Sequence, residues 1–145
     1  MTSNAGRATT LMRALRASIG GDGDAARDLY TEDVKAWAPS RSAASRTELM
    51  AEIDRRDQAF SDVEVDVEPL DVGGDYACAE WSVTMTHTGP LTLAGGEVVE
   101  PTGARITVHG ATVAEFRGDR ICSLRQYWDE LGVFEQIGLM PDDET

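Results

Sequence analysis

Lysine is almost missing from this sequence: Lys35 is the single one among 13 basic residues. Those 13 face 26 acidic residues, for a formal charge of −13 and a pI near 4.4. An excess of negative charge repels phosphate backbones and anionic lipid, so no nucleic acid and no membrane surface is expected as a partner. Cysteine is nearly as scarce, with Cys78 and Cys122 alone, both inside apolar strand-like runs where a reduced thiol behaves as a small hydrophobe. Histidine occurs twice, at His87 and His109, on separate segments. No CxxC or HExxH spacing exists, so no metal site is expected. Long apolar runs are missing too: nothing approaches the roughly 20 residues that span a bilayer. The first 20 residues carry arginines instead of an apolar signal core, which makes the cytoplasm the expected location.

What is present describes a folding chain. Its 145 residues correspond to a single domain, 1–145, and are 41% hydrophobic and 27% charged. A chain of this size buries roughly two-thirds of the surface its unfolded form exposes, enough for a core without disulfide or metal staples.

Leu11, Leu15 and Ile19 at four-residue spacing predict a helix over Ala8 to Ile19, stopped by Gly20-Gly21. Asp22 or Asp24 is placed to cap a second short helix running to Tyr30, and a short strand, Val34 to Ala38, ends at Pro39. Ser45 and Glu48 have the spacing of a capping box for a third helix marked by Leu49, Ile53 and Phe60, with Arg55-Arg56-Asp57 as its wet face. From Val63 the period changes to two. Val63, Val65 and Val67 alternate with acids, and long strands are expected over Tyr76 to His87, Ile106 to Phe116 and Ile121 to Trp128. Thr88 to Ala104, rich in glycine and proline, reads as a mobile hairpin arm, Glu130 to Ile137 as a last short helix, and Asp142-Asp143-Glu144 as a frayed tail. Helices followed by strands on short turns make an α+β fold with one curved, largely antiparallel sheet, whose open end is a natural pocket.

Three strings then carry a resemblance: Met85-Thr86-His87-Thr88-Gly89, Glu100-Pro101-Thr102-Gly103, and Gly118-Asp119-Arg120-Ile121 running on to Tyr127-Trp128-Asp129 and Gln136-Ile137-Gly138-Leu139. Together with the element order they resemble the SnoaL-like polyketide cyclases of the nuclear-transport-factor-2-like (NTF2-like) superfamily, over roughly Leu11 to Pro141. The resemblance implies an NTF2-like cone of three N-terminal helices in a strongly curved antiparallel or mixed sheet. It also implies a cofactor-free, acid–base ring closure of intramolecular aldol type on an apolar, polyketide-like small molecule of secondary metabolism. Asp129 matches the family's catalytic aspartate and His87 its pocket histidine.

Strand geometry adds to this. Ile121, Ser123, Arg125, Tyr127 and Asp129 share one face of the strand, with Tyr127 about 7 Å from Asp129 and Arg125 about 13 Å away. Trp81, Val83, Met85 and His87 share a face of the preceding long strand. An aspartate walled by Trp81, Met85 and Trp37 would lose hydration, and its pKa would rise from about 3.9. Tyr127 or His87 would then supply the donor that a developing oxyanion needs. The expected site is therefore Asp129, His87 and Tyr127 as catalytic residues, with Trp37, Phe60, Trp81, Met85, Arg125 and His109 against the substrate. Asp129 has a second reading as the N-cap of the last helix, accepting from Leu131 or Gly132. Leu124 and Trp128, assigned to the opposite face, predict a homodimer through the sheet. Two other functions remain open: an epoxide hydrolase or hydratase, in which an aspartate activates water, and a non-catalytic small-molecule binder.

Overall fold

Leu11, Ala14, Leu15, Ser18 and Ile19 recur at three- and four-residue intervals and are all buried, which is why the first segment is helical and which side of it faces inward. The computed structural model describes residues 4–39, 41–70, 73–93 and 95–139. The expected C-terminal tail lies outside them. Helix α1 spans Asn4–Ile19, the short α2 Gly23–Ala26 continues into a 3₁₀ turn at Arg27–Leu29, and β1 runs Tyr30–Trp37. After β2 (Ser42–Ala43) comes α3, Arg46–Ala59. Its capping box forms: Ser45 Oγ accepts from the Glu48 N–H at 3.2 Å, and Glu48 Oε1 accepts from the Ala44 N–H at 3.2 Å.

The remainder is mostly sheet: β3 Phe60–Leu70, β4 Tyr76–His87, β5 Leu91–Thr92, β6 Val98–Val99, β7 Arg105–Arg117 and β8 Arg120–Trp128, then α4, Glu130–Gln136. Phe60 caps α3, its amide donating to the Arg56 carbonyl, and its extended backbone opens β3 opposite His87. Six strands stand in the order β2-β1-β8-β7-β4-β3; β1 and β8 are parallel and the other neighbours antiparallel. The parallel pair is reached by the long passage through α3 and the meander, since parallel strands need a crossover. With α1 and α3 against its concave side, the sheet forms the NTF2-like cone.

Strand β4 alternates cleanly, with Ala77, Ala79, Trp81, Val83, Met85 and His87 inward, and β7 answers with Ile106, Val108, Thr112, Ala114 and Phe116. Strand β8 does not keep step. Glu115 pairs with Ser123 but Phe116 with Ile121, so Cys122 is an extra residue, a β-bulge whose Sγ donates to the Glu115 carbonyl at 3.5 Å. Ile121 and Leu124 are therefore both buried, and inward positions continue through Gln126 and Trp128. This corrects the unbroken alternation expected from the sequence: Arg125 and Tyr127 point outward, while Leu124 and Trp128 face the cone's interior. The two residues on which a sheet-face dimer was expected are thus not on the outer face.

Thr88 to Ala104 is the expected hairpin, β5 paired with β6, and it is tied at both ends. The Thr88 and Gly89 amides donate to the Ala59 carbonyl, the His87 amide to Ala104, and Gly103 returns a bond to the His87 carbonyl. Among the described residues no helix is long and apolar enough to cross a membrane.

Gly110 lies under the Trp81 ring, where a Cβ would sit 2.5 Å from Cη2 of Trp81 and 2.7 Å from the Tyr127 carbonyl oxygen. Trp81 is held in place by its Nε1–H donating to Thr112 Oγ1 at 2.9 Å, both groups buried. Gly110→Ala must displace that ring or strand β8, and the expected cost is about 1–3 kcal/mol. Denaturant unfolding read with tryptophan fluorescence checks it; an unchanged midpoint would contradict this packing.

Candidate functional site

A cavity of about 380 Å³ opens into the cone between α1, α3, α4 and the concave sheet. Its walls are mainly apolar: Ile53, Phe60, Trp81, Val83, Met85 and Val108, with Phe134 from the last helix and Leu91 and Leu93 from the hairpin. Four of the expected substrate-contacting residues, Trp37, Phe60, Trp81 and Met85, line it. Trp81 and Trp128 meet nearly edge to face, ring centroids 6.1 Å apart.

The expected catalytic trio is not brought together. Asp129 is exposed and caps α4: its Oδ1 accepts from the Gly132 N–H at 2.9 Å, the capping alternative read from the sequence. Tyr127 is 47% exposed on the outer face, its ring 5.2 Å from that of Trp37. Arg125 is exposed on the same side, as the bulge requires. His109 is also exposed, in a shallow outer groove beside Asp66, Glu68, Glu80 and Ser82. His87 is fully buried behind the cavity wall, its ring 5.4 Å from Phe60. Its Nδ1 accepts from the Thr102 N–H at 3.2 Å and lies 3.0 Å from Thr102 Oγ1, so the ring proton resides on Nε2, which is buried without a partner. His87 thus anchors the hairpin's return.

Polar groups that the sequence reading passed over do reach the cavity. Phased from the bulge, Gln126, Trp128 and Glu130 fall in line, and all three line it. Glu130 is half-buried, and its Oε2 is sealed from solvent with no hydrogen-bond partner. Burial raises its carboxyl above the ordinary 4.5, with the Trp128 side chain pulling the other way. On the α1 and α3 side, the buried Tyr30 hydroxyl shares a 2.9 Å hydrogen bond with Ser18 Oγ. Burial raises the Tyr30 pKa, opposed by Ser18 and by the charge of Arg56. Arg56 donates to the Ser18 carbonyl at 2.6 Å. Arg56 was expected on the wet face of α3, but it stands three residues after Ile53 and seven after Leu49, in the helix's inward stripe. At the rim, Glu52 bridges Arg55 at 2.8 Å and Arg41 at 3.4 Å, and Arg41 also donates to the Leu93 carbonyl at 2.7 Å, tying the hairpin to the mouth.

A family model described as SnoaL-like polyketide cyclase matches residues 9–137. No curated protein sequence matches the chain at a significant level. Among solved structures, a protein of Jannaschia sp. CCS1 provisionally named a SnoaL-like polyketide cyclase is similar with a TM-score of 0.81 at 22% identity, covering 97% of this chain and 96% of that one. A hypothetical protein of Catenulispora acidiphila DSM 44928, described as having a ketosteroid isomerase-like fold and solved with trimethylamine, gives 0.72 at 21% identity over 94% and 96%. SalBIII, an epoxide hydrolase/cyclase-like enzyme of pyran ring formation in the polyether salinomycin, gives 0.71 at 18% identity over 91% and 97%. Identities this low carry the fold and not the reaction.

Asp129→Ala removes the α4 cap, and a loss of about 0.5–2 kcal/mol in unfolding free energy is expected, with ligand uptake by the cavity preserved. Calorimetry combined with tryptophan-quenching titrations separates the two effects; loss of uptake at full stability would return Asp129 to the site.

Proposed function

This chain belongs to the SnoaL-like polyketide cyclase family, and from that membership we propose that it is a cofactor-free acid–base enzyme that closes a ring, or isomerises one, in a polyketide-like substrate held in its apolar cavity. One observation carries the reading: Glu130 lines the apolar chamber with a half-buried carboxyl, one oxygen of which, Oε2, is buried without a hydrogen-bond partner. Such a carboxylate is a stronger base than one in water and can return the proton it takes.

In the proposed reaction the Glu130 carboxylate removes a proton from carbon between two carbonyl groups. The enolate carbon attacks a second carbonyl of the same molecule, forming the ring bond, and the alkoxide so made takes the proton back from Glu130. Protons and electrons balance without a co-reactant. The enolate and alkoxide oxygens need donors, and the Gln126 amide, nine-tenths buried in the same wall, is suitably typed. Holding a flexible chain folded against aromatic walls supplies the rest of the acceleration.

Proton exchange tests this directly. With a cyclic 1,3-diketone in deuterated water, the enzyme should catalyse exchange at the carbon between the carbonyls, and Glu130→Gln should lower that rate by about 10²–10⁴-fold while Asp129→Asn leaves it near wild type. The sign of the pH effect follows from the raised pKa: exchange falls as pH drops through a midpoint above 4.5, and that limb vanishes in Glu130→Gln. Glu130→Gln should also be no less stable at neutral pH, since it removes a charge that burial disfavours. Wild-type exchange in Glu130→Gln sinks the reading.

A second reading, water addition or epoxide opening, uses the same half-buried carboxyl in the cavity wall. There Glu130 would activate water, and products formed in ¹⁸O-labelled water would carry the label; ring closure leaves them unlabelled.

A further inference from the structure

Among the described residues, Arg56 is the cavity arginine that makes no salt bridge. Arg41 and Arg55 share Glu52, but no carboxylate of the described residues comes within ion-pair distance of Arg56, even though Asp57 follows it in the chain. Its guanidinium donates to the Ser18 carbonyl, and among the described residues its Nε is buried without a partner. The residue as a whole keeps some accessible surface, yet its charge is desolvated enough to pull its pKa below the usual arginine value, with Asp57, Tyr30 and Glu52 opposing. These agree if the surface it keeps is surface turned to the cavity, which Arg56 lines. A guanidinium taken from water and not paired is unfavourable, and its planar fork fits a carboxylate.

The wider charge pattern points the same way. In a chain with a net charge of −13, the ionisable cavity residues Arg41, Arg55, Arg56, Glu52 and Glu130 sum to +1 with every group ionised. The chamber lining is thus far less acidic than the chain as a whole, although Asp57 stands next to Arg56. Beside Arg56 the buried hydroxyls of Tyr30 and Ser18 add two polar groups to an otherwise apolar wall.

We propose that the cavity takes a substrate carrying a carboxylate, which Arg56 receives, with the Tyr30 hydroxyl as its neighbour. This names a substrate class within the reading above and rests on it in taking the cavity as the place where substrate binds. Glu130, on α4 against β7, handles the reacting carbon, while Arg56, on α3 against β1 and β3, holds the acid group and sets which end of the molecule reaches Glu130.

The test uses anthraquinone-2-carboxylate and its uncharged methyl ester, titrated against the whole protein and read by quenching of the cavity tryptophans. The carboxylate should bind the wild type about 10–100-fold more tightly than the ester, the range expected of a hydrogen bond to a buried charge. Arg56→Gln should bring the two within about threefold by weakening the carboxylate alone, and Arg56→Lys should keep part of the preference. Equal binding of both probes by the wild type, binding of neither, or a preference that survives Arg56→Gln overturns the proposal. The wild-type comparison and Arg56→Lys decide it even if Arg56→Gln does not fold. Failure of the ring-closure reading shows separately, as full exchange activity in Glu130→Gln, whatever the probes do.

Discussion

One extra residue in β8 governs which side chains meet the cavity. A strand sends alternate side chains to opposite faces, so inserting Cys122 between the pairs Phe116–Ile121 and Glu115–Ser123 shifts everything after it by one face. Leu124, Gln126, Trp128 and, past the strand's end, Glu130 come inside; Arg125, Tyr127 and Asp129 go outside. A bulge also bends and twists its strand, which suits a sheet that must wrap helices on its concave side. The same feature thus serves curvature and determines which carboxyl group is dry.

The cavity itself is a compromise between burial and charge. Aromatic and aliphatic walls gain by leaving water, and the same dryness penalises every ionised group among them. Each penalised group has an identifiable answer or lacks one. Glu52 is shared by two arginines at the rim, the Tyr30 hydroxyl has Ser18, and the Trp81 indole has Thr112. Glu130 Oε2 and Arg56 Nε have none. His87 Nε2, Thr31 Oγ1 and Arg7 Nε are also buried without one, and what sets Glu130 and Arg56 apart is that both line the cavity. Neither group lies on the outer face, where His109 and its acidic neighbours remain wet.

Much of the fold was legible because it follows from periodicity. The α1 stripe, the Ser45–Glu48 capping box, the β4 alternation and the turn at Gly118-Asp119, where Gly118 has φ of 64°, are local features whose causes lie within a few residues. The site was legible only as a list of wall residues. Trp37, Phe60, Trp81 and Met85 are large and apolar, and such residues line a cavity or a core by the same rule. His87 was visible as an unusual residue in an apolar strand, but whether its ring faces a chamber or a loop depends on Thr102, fifteen residues away.

Sequence alone determined the element order, the α+β class and the acidic surface, because hydrophobic period, turn chemistry and charge count are properties of short stretches and sums. Tertiary structure decided the site. The bulge at Cys122 depends on how β8 pairs with β7, so Asp129 and Glu130, adjacent in the chain, exchanged the roles that an unbroken alternation assigned them. Arg56 shows the same limit on a helix: the triplet Arg55-Arg56-Asp57 looks like solvent-facing charge, and only the packing of Leu49 and Ile53 against the sheet turns one of its members inward. Face and depth arise from pairing between distant segments, and a linear pattern cannot count residues across a register shift it does not display.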